Sequence, residues 1–394
     1  MIITKNIFFR NFRTKFKLST NKKLKSLLLD NNNEIINSLK SSYKYSYSKK
    51  FIKSKRNFSI LRLIGMGGSI LGTKAIFSFL QKKIKKEIVF FDNLLPYFDI
   101  DKRKKILNII ISKSGNTLET ISNVNNLIKK NQKNIFIIEN NNSYLRKLAN
   151  KMKAEVIDHN NFIGGRYSVL SEVGMLPASL VGLNEKKFKQ FNYLIKKKSF
   201  MNSLIQNVNN ILFFVKKKKF NSIIINYDEK SDDLFKWYQQ LVGESLGKKK
   251  KGIFPSISTM PKDNHSLMQL YLDGPKNNFF TFFNVKEKNS NKIINSSILS
   301  SHKYIKNKKF SEILNAQKAA TENVFYKSKI PFRSFEIKNR NEEVLGELFT
   351  FFILETILIG KFLKINPYDQ PAVEMIKKRY EKNFNKYLIS NHYF

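Results

Sequence analysis

Residues 111–120 read I-S-K-S-G-N-T-L-E-T, and the structure predicted for the chain starts from this stretch. The run before it, residues 106–111, is nearly all apolar and rich in β-branched residues, which is typical of a buried strand in a parallel sheet. The residues that follow, 118–130, have the apolar spacing of a helix. The quoted stretch therefore predicts a strand that ends in a short polar turn and continues as a helix.

Such a turn leaves backbone N–H groups free at the start of the helix, and the hydroxyls of Ser112, Ser114 and Thr117 add further donors. A helix start of this kind suits a phosphate group. The alternative is an ordinary loop that Thr117 or Asn116 caps. The turn alone does not separate these two interpretations.

The composition excludes several classes of protein. A chain of 394 residues can form two domains with a sizeable core. It has no cysteine, so it forms neither disulfides nor thiolate metal sites, and its four histidines are too scattered for a histidine-based metal site. No apolar run approaches the ~20 residues that a membrane-spanning helix requires. We therefore predict no metal centre and no membrane span.

The formal net charge of +42 suggests a nucleic acid or another anionic surface as partner. However, only ten of the 72 basic residues are arginine, and the lysines are spread over the whole chain. Arginine is the residue that reads bases and clamps phosphates through two bonds. The charge thus indicates a general compositional bias, and we predict no specific nucleic-acid partner.

Residues 1–57 are basic and polar with short apolar patches, which indicates a helical, peripheral segment. The first 29 residues contain no acid, as in a transit peptide. An ordinary lysine-rich start is the interpretation that we favour.

Short apolar runs then alternate with helical patterns, which predicts an α/β fold of doubly wound parallel sheets. The predicted strands are 58–64, 88–91, 106–111, 135–138 and 155–157, followed after a helical stretch by 222–227, 253–259, 279–285 and 332–337. We expect four parts: the N-terminal segment 1–57, a first α/β domain 58–180, linker helices with a second α/β domain 181–365, and a C-terminal helix 366–394.

The glycine-rich turn G-M-G-G-S-I-L-G at 65–72 follows the first of these strands. It resembles a dinucleotide-binding fingerprint, but Ile70 stands where the third glycine belongs, which disfavours a nicotinamide cofactor. We expect the turn to bring Ser69 and its backbone N–H near an anion at a helix start. Close packing of strand against helix is an alternative use of the same glycines.

Helix 234–247 places Gln240 and Glu244 one turn apart on one face, beside a glycine and a serine. A carboxylate there could move a proton between adjacent carbons of a sugar. The alternative is a surface glutamate paired with Lys248 four residues on.

Three further residues could act in chemistry. Arg166 follows two glycines and could stabilise an oxyanion, or it could form a structural ion pair. His265 lies where a helix running to about residue 272 is expected to begin; the helix dipole there would keep the imidazole neutral, although a surface histidine is the alternative. Lys377 shares the apolar face of the last helix, so it either snorkels or faces a ligand.

Taken together, six motifs resemble the phosphoglucose isomerase family, in the family's order and over about residues 58–385. They are G-M-G-G-S-I-L-G at 65–72, S-K-S-G-N-T-L-E-T at 112–120, G-G-R-Y-S-V-L-S-E-V-G at 164–174, Q-Q-L-V-G-E-S-L-G-K at 239–248, D-N-H-S-L-M-Q-L-Y-L-D-G-P at 263–275 and N-P-Y-D-Q-P-A-V-E-M-I-K at 366–377. Asn116 departs from the pattern, since a small hydroxyl residue is common there.

The resemblance implies two sugar-isomerase domains and a cytoplasmic, cofactor-free homodimer that interconverts glucose 6-phosphate and fructose 6-phosphate in glycolysis and gluconeogenesis. It implies that Glu244 carries the proton between C1 and C2 and that Arg166 steadies a cis-enediolate. His265, supplied by the partner subunit, would open the sugar ring with Lys377. The implied substrate contacts are Ser69, Ser112, Lys113, Ser114, Thr117 and Gln240, and Glu119 matches a family acid near the site.

Two other functions stay open on the sequence. A related isomerase could also accept mannose 6-phosphate. A sugar-phosphate-sensing module or a basic nucleic-acid binder on this fold could keep the 112–117 turn, but it would need neither Glu244 nor Lys377, and their presence disfavours it.

Overall fold

A computed structural model describes residues 3–14, 21–28, 30, 32–94, 105–139, 141–287, 290–294, 299–376, 379 and 383. Within these residues, short apolar runs form strands and segments with helical spacing form helices, as the sequence predicts. No helix in this described part is long and apolar enough to cross a membrane.

The N-terminal segment contains helices, as predicted, but it also contains a strand and contributes to the core. It contains a strand, β1 (Ile7–Arg10), followed by the short helices α1 (Asn21–Leu28), α2 (Glu34–Leu39) and α3 (Lys49–Lys55). The side chains of Phe9 and Phe12 are buried in the main core. Because β1 adds an edge strand to the second sheet, this segment is part of the fold.

The first sheet is wholly parallel, with the strand order β3-β2-β4-β5-β6. Its strands confirm the predicted ones with bounds that differ by at most two residues: β2 (Ile60–Gly65), β3 (Glu87–Phe91), β4 (Ile106–Ser112), β5 (Lys133–Ile138) and β6 (Glu155–Asp158). The helices between them are α4 (Leu71–Phe79), α5 (Leu118–Leu127) and α6 (Tyr144–Met152).

A helical stretch leads to the second sheet, as the spacing between residues 173 and 215 predicts. It comprises α7 (Glu172–Leu180), α8 (Phe191–Ile195) and α9 (Lys198–Lys216).

The second sheet has the order β1-β10-β9-β7-β8 and is parallel except for β1, which runs antiparallel to β10. Its other strands and helices, in chain order, are β7 (Asn221–Asn226), α10 (Asp232–Leu246), β8 (Phe254–Thr259), α11 (Met268–Asp273), β9 (Asn278–Val285), α12 (Phe310–Lys327), β10 (Phe332–Ile337) and α13 (Glu342–Leu363). Residues 371–376 begin a C-terminal helix. Two largely parallel sheets flanked by helices therefore confirm the predicted α/β fold class. The boundaries at residues 57, 180 and 365 stay a prediction.

Each sheet has a switch point, at which successive connections leave in opposite directions. It lies between β2 and β4 in the first sheet and between β7 and β9 in the second. Crevices outside the carboxyl ends of the strands at such points are the usual ligand sites of open α/β sheets. Helices α4 and α10 pack against each other between the sheets. The end of each helix consequently lies near the other sheet.

A buried ionic network fixes α10 to its neighbours. Arg333 and Glu355, both fully buried, form an ion pair, and the Arg333 Nε donates to Thr281 Oγ1 at 2.9 Å. Asn207 accepts from Arg333 at 2.8 Å, and the Tyr238 hydroxyl on α10 donates to Glu355 Oε1 at 2.9 Å. The network thus ties α10, which carries Gln240 and Glu244, to α9, α13 and the second sheet.

Candidate active site

The glycine-rich turn after β2 packs against the turn that carries Arg166. A Cβ atom on Gly68 would lie 2.3 Å from the backbone carbonyl carbon of Gly165, so only glycine allows these two turns to approach this closely. Ser69 lies in the short 3-10 turn 67–69 and is partly exposed. Both predicted uses of the glycines, close packing and presentation of Ser69, are therefore compatible with the structure.

The 112–117 turn begins where β4 ends, beside the end of β2. The Ser112 hydroxyl accepts from the Gly115 N–H at 3.2 Å and lies 3.1 Å from Thr117 Oγ1. Gly115 has a φ of +66°, which L side chains rarely adopt. Thr117 makes no capping bond with its side chain, so neither Thr117 nor Asn116 satisfies the first-turn N–H groups of α5 as a side-chain cap. That leaves these N–H groups available to an anion.

Two other predicted substrate contacts have partners within this turn. Ser114 is exposed, and its hydroxyl accepts from the Asn116 N–H at 3.2 Å. The Lys113 ammonium lies 3.3 Å from Glu139 Oε2. Burial raises the pKa of Glu139, although Lys113 opposes this rise. A phosphate at this turn would therefore share Lys113 with Glu139. Glu119 lies in the first turn of α5.

Arg166 is 1% exposed and uses all five of its N–H groups. The Nε donates to Ser245 Oγ at 2.8 Å, and Nη1 donates to Glu244 Oε2 at 3.0 Å and to Gln370 Oε1 at 2.8 Å. Nη2 donates to the backbone oxygens of residues 367 and 369, at 2.8 and 3.0 Å. The guanidinium thus holds the Glu244 carboxylate and the loop before the C-terminal helix next to each other.

Glu244 is held at both oxygens but stays accessible. Besides the bond from Arg166, its Oε1 accepts from Gln240 Nε2 at 2.8 Å, and 30% of its side chain is exposed. Lys248, the predicted alternative partner, pairs instead with Asp369 at 2.7 Å. A Cβ on Gly67 would lie 3.0 Å from Gln240 Nε2, so the glycine-rich turn adjoins this pair. The chain therefore brings Arg166, Gln240 and Glu244 together beside the carboxyl edge of the first sheet.

His265 lies elsewhere in the same chain. It is exposed and follows a short 3-10 turn, 262–264, whereas α11 begins only at Met268, so the prediction that a helix begins around His265 is wrong. This turn follows the carboxyl end of β8. Glu244 lies in the last turn of α10. Because α10 runs back antiparallel to β7, Glu244 lies near the amino ends of the parallel strands of the second sheet, and the turn before His265 lies at their carboxyl ends. Lys377 lies outside the described residues.

Three supporting residues were not predicted from the sequence. Ser245 and Gln370 hold the Arg166 guanidinium, and the Trp237 indole donates to the Arg166 carbonyl oxygen at 3.1 Å. Two of them lie inside quoted motifs, E-S-L-G and D-Q-P, but their partner is 79 and 204 residues away in sequence. The sequence pattern around each residue therefore could not indicate these contacts.

His159 was also not singled out. Its Nε2 lies 3.0 Å from Ser171 Oγ, which in turn donates to the Ser168 carbonyl oxygen at 2.8 Å in the turn that carries Arg166. Its Nδ1 has no hydrogen-bond partner among the described residues. Burial, reinforced by the charge of Lys113, lowers the pKa of His159 from 6.5 to about 4. The imidazole is consequently neutral where it supports the site.

A pH dependence of stability follows from His159. Its folded pKa lies below its unfolded value, so the unfolded chain binds more protons between pH 6.5 and about 4. We expect this residue to stabilise the fold above pH 6.5 and to lose that contribution, about 3 kcal/mol in total, as the pH falls through this window. Urea unfolding at a series of pH values measures it. In His159→Gln the free energy of unfolding should fall less steeply between pH 6.5 and 4 than in the wild type. The same pH dependence in both proteins would contradict the assignment.

The arrangement provides a carboxylate for proton transfer, a guanidinium beside it, and a hydroxyl- and amide-rich turn for an anion. The site therefore offers general acid–base chemistry on an anionic substrate through the side chains of the chain itself.

Comparison with known proteins agrees with this chemistry. The family model described as Phosphoglucose isomerase matches residues 29–391. A protein of Methanocaldococcus jannaschii named glucose-6-phosphate isomerase is 34% identical over 349 residues, which are 83% of this chain and 84% of that protein. A protein of the same name from Campylobacter jejuni is 29% identical over 350 residues, or 84% of this chain and 86% of that one.

Two solved structures share the fold. A hypothetical protein of Thermus thermophilus has a TM-score of 0.79 at 20% identity, covering 93% of this chain and 94% of that chain. A glucose-6-phosphate isomerase of Chlamydia trachomatis has a TM-score of 0.64 at 20% identity, covering 85% and 72%.

Proposed function

Because the chain belongs to the phosphoglucose isomerase family, we propose that it is an aldose–ketose isomerase that interconverts glucose 6-phosphate and fructose 6-phosphate. The observation that carries this proposal is the cluster of Arg166, Gln240 and Glu244 beside the glycine-rich turn. An intramolecular proton transfer needs one accessible carboxylate next to a fixed cation, and this cluster supplies both.

The phosphate of the sugar binds at the carboxyl edge of the first sheet. Ser69 presents its hydroxyl and N–H from the 67–69 turn, and the 112–117 turn contributes Ser112, Ser114 and Thr117 with the free N–H groups of α5. Lys113 adds a cation that is shared with Glu139. Donors of this kind hold an anion at a helix start. The sugar chain then extends toward Gln240.

Glu244 carries the proton. In the open-chain aldose, its carboxylate removes the proton on C2, and the electron pair moves to form the C1–C2 double bond of a cis-enediolate. As this double bond forms, the electrons of the C1 carbonyl move onto O1. The proton of the C2 hydroxyl then passes to O1 and the Glu244 carboxyl returns the carbon-bound proton to C1, so that C1 carries a hydroxyl, C2 becomes the ketone carbon and no external oxidant is needed. Arg166 stabilises the negative charge on the enediolate oxygens, because its guanidinium is already fixed 3.0 Å from the carboxylate. Proton transfer within one substrate requires no cofactor.

Ring opening uses His265 and Lys377, with His265 supplied by a partner subunit. The support for a homodimer is the position of His265, which one chain places at the opposite edge of the second sheet from Glu244. A second copy of the chain could present an exposed histidine of this kind to the site. The homodimer and a cytoplasmic location rest otherwise on the family resemblance.

The assay of the purified chain on glucose 6-phosphate, with mannose 6-phosphate in parallel, tests the proposal and separates it from the broader isomerase. A sensing module would bind the sugar phosphate without converting it. Failure of the purified wild-type protein to convert glucose 6-phosphate into fructose 6-phosphate would therefore overturn the proposed activity.

Ser112→Ala tests the phosphate end of the site. We expect KM for glucose 6-phosphate to rise about tenfold with little change in kcat, because the lost hydroxyl contacts substrate and transition state alike. The inhibition constant of inorganic phosphate should rise in parallel. Ser54→Ala, an exposed serine on α3, is the matched control. An unchanged KM and phosphate inhibition in Ser112→Ala would contradict the placement of the phosphate.

A further inference from the structure

A cavity of about 850 Å³ lies at the carboxyl edge of the second sheet. Its lining includes the residues just after β7 (227–230), Asn284, Val285 and Glu287 at and just after the end of β9, and Phe77 and Ser78 at the end of α4. Further lining residues come from 81–88, 260–261, 290–315 and Arg340. None of Arg166, Gln240 and Glu244 lines it. Met260 and Pro261, which lead into the turn before His265, also line the cavity, but His265 does not, and the proposed reaction assigns no role to any residue of the lining.

The cavity is the counterpart of the active site in the other half of the molecule. The active site lies outside the switch point between β2 and β4, with the end of α10 beside it. This cavity lies outside the switch point between β7 and β9, with the end of α4 beside it. The hydroxyl of the lining residue Ser78 on α4 donates a hydrogen bond to Asp233 on α10. The second crevice thus has the position in which open α/β sheets bind ligands.

Two polar atoms of the lining have no hydrogen-bond partner within the described part of the chain. They are the Asn284 side-chain oxygen, on a residue that is only 3% exposed, and Nη1 of Arg340. The remainder of each side chain is held: Asn284 donates to Asn315 at 3.2 Å, and Arg340 pairs with Asp228 and, at 2.6 Å, with Glu287. Because buried polar groups are normally paired, these two atoms are an unsatisfied acceptor and an unsatisfied donor on residues of the lining.

The charges of the lining do not favour an anion. Three basic residues (Lys86, Lys230 and Arg340) balance three acidic ones (Asp228, Glu229 and Glu287), although the whole chain carries +42. The segment that leads into α10 and its first two residues read D-E-K-S-D-D at 228–233, so carboxylates already occupy the helix start that would otherwise attract a phosphate. This differs from the 112–117 turn, where serine and threonine hydroxyls fill the same position.

We propose that this cavity binds an uncharged saccharide, of the size of a monosaccharide or disaccharide. Hydroxyl groups both accept and donate, so they match the Arg340 donor and the Asn284 acceptor together. The aromatic rings of Phe77, Tyr227 and Phe310 in the lining provide apolar walls for the C–H faces of a sugar ring. The cavity volume lies in the usual range of small-molecule sites.

Calorimetric titration of the full chain with glucose and with maltose tests the proposal. We expect one saturable site per chain that persists when an equilibrium mixture of glucose 6-phosphate and fructose 6-phosphate saturates the catalytic site. Asn284→Leu and Phe310→Ala should each weaken it about tenfold, since each removes one contact. Phe310 is 52% exposed, so its truncation tests the site without a buried change.

Phe254→Ala is the matched control, because Phe254 is 66% exposed and does not line the cavity. This variant should bind the sugars as the wild type does, and all three variants should retain wild-type isomerase kinetics. Several outcomes would overturn the proposal: no saturable binding of either sugar, displacement of the sugar by the sugar-phosphate mixture, or wild-type affinity in both Asn284→Leu and Phe310→Ala. Tighter binding of a sugar phosphate than of glucose at this site would also overturn it.

Discussion

Replacement of Glu244 by glutamine is expected to lower kcat about a hundredfold to ten thousandfold while the chain stays folded. The amide keeps the shape of the carboxylate, and its oxygen can still accept from Arg166, as Glu244 does at 3.0 Å. It cannot accept the proton from C2 at neutral pH, however, so the step that forms the enediolate loses its base. Turnover is measured on glucose 6-phosphate, and exchange of the C2 hydrogen with solvent deuterium reports the proton-transfer step itself.

The control for this variant is Glu155→Gln. Glu155 lies on the surface at the start of β6, where it pairs with Lys55 and is 51% exposed. It should leave both turnover and exchange unchanged. Wild-type kcat in Glu244→Gln would remove Glu244 from the mechanism, even if the isomerase activity of the chain itself is confirmed.

A second large effect is expected from Glu355→Leu, which should lower the free energy of unfolding by about 3–5 kcal/mol. Arg333 and Glu355 are both fully buried, so the substitution leaves a guanidinium without its counterion in the core. Tyr238 would lose the acceptor of its hydroxyl in the same network. Urea unfolding of the wild type and the variant measures the change. The free energy of unfolding should fall with urea concentration at the same slope in both proteins, which shows that the two unfolding transitions are comparable.

The double variant Arg333→Met, Glu355→Leu identifies the cause of the loss. Removing both charges abolishes the unpaired guanidinium, so the double variant should be more stable than Glu355→Leu alone. The surface pair Glu229–Lys262, with 75% and 65% of its side chains exposed, is the comparison, and Glu229→Leu should destabilise the fold far less than Glu355→Leu because water screens an exposed pair. A double variant no more stable than the single one would refute the role of the buried charge.

The few arginines of the chain include two that occupy buried structural positions, at the candidate site and in the core. Of the ten arginines in a chain with 72 basic residues, Arg166 and Arg333 are among the most deeply buried side chains. A planar guanidinium with five donors can be satisfied fully in such positions, as Arg166 shows, whereas the strongly hydrated ammonium of lysine cannot serve as well. Lysine therefore determines the net charge of the chain, and arginine holds the site and the core.

The N-terminal strand shows where prediction from the sequence failed. In β1 the side chains of Ile7 and Phe9 are buried while Phe8 is 42% exposed, so a period of two was present in the sequence. A strand of four residues is too short for this pattern to stand out in a basic segment. Its partner, β10, follows more than 300 residues later, and only the assembled sheet reveals the pairing.

The sequence by itself determined the two parallel sheets, the turns at 65–72 and 112–117, and the candidate catalytic residues through their motifs. These features follow from short-range causes: apolar periodicity, glycines where chains approach closely, and hydroxyls at the start of a helix. Only the tertiary structure decided which of those residues meet. Arg166 contacts Glu244 across 78 residues and Gln370 across 204, while His265 lies at the other edge of the sheet. Packing of α4 against α10 places these residues, and no local pattern encodes the packing of two distant helices.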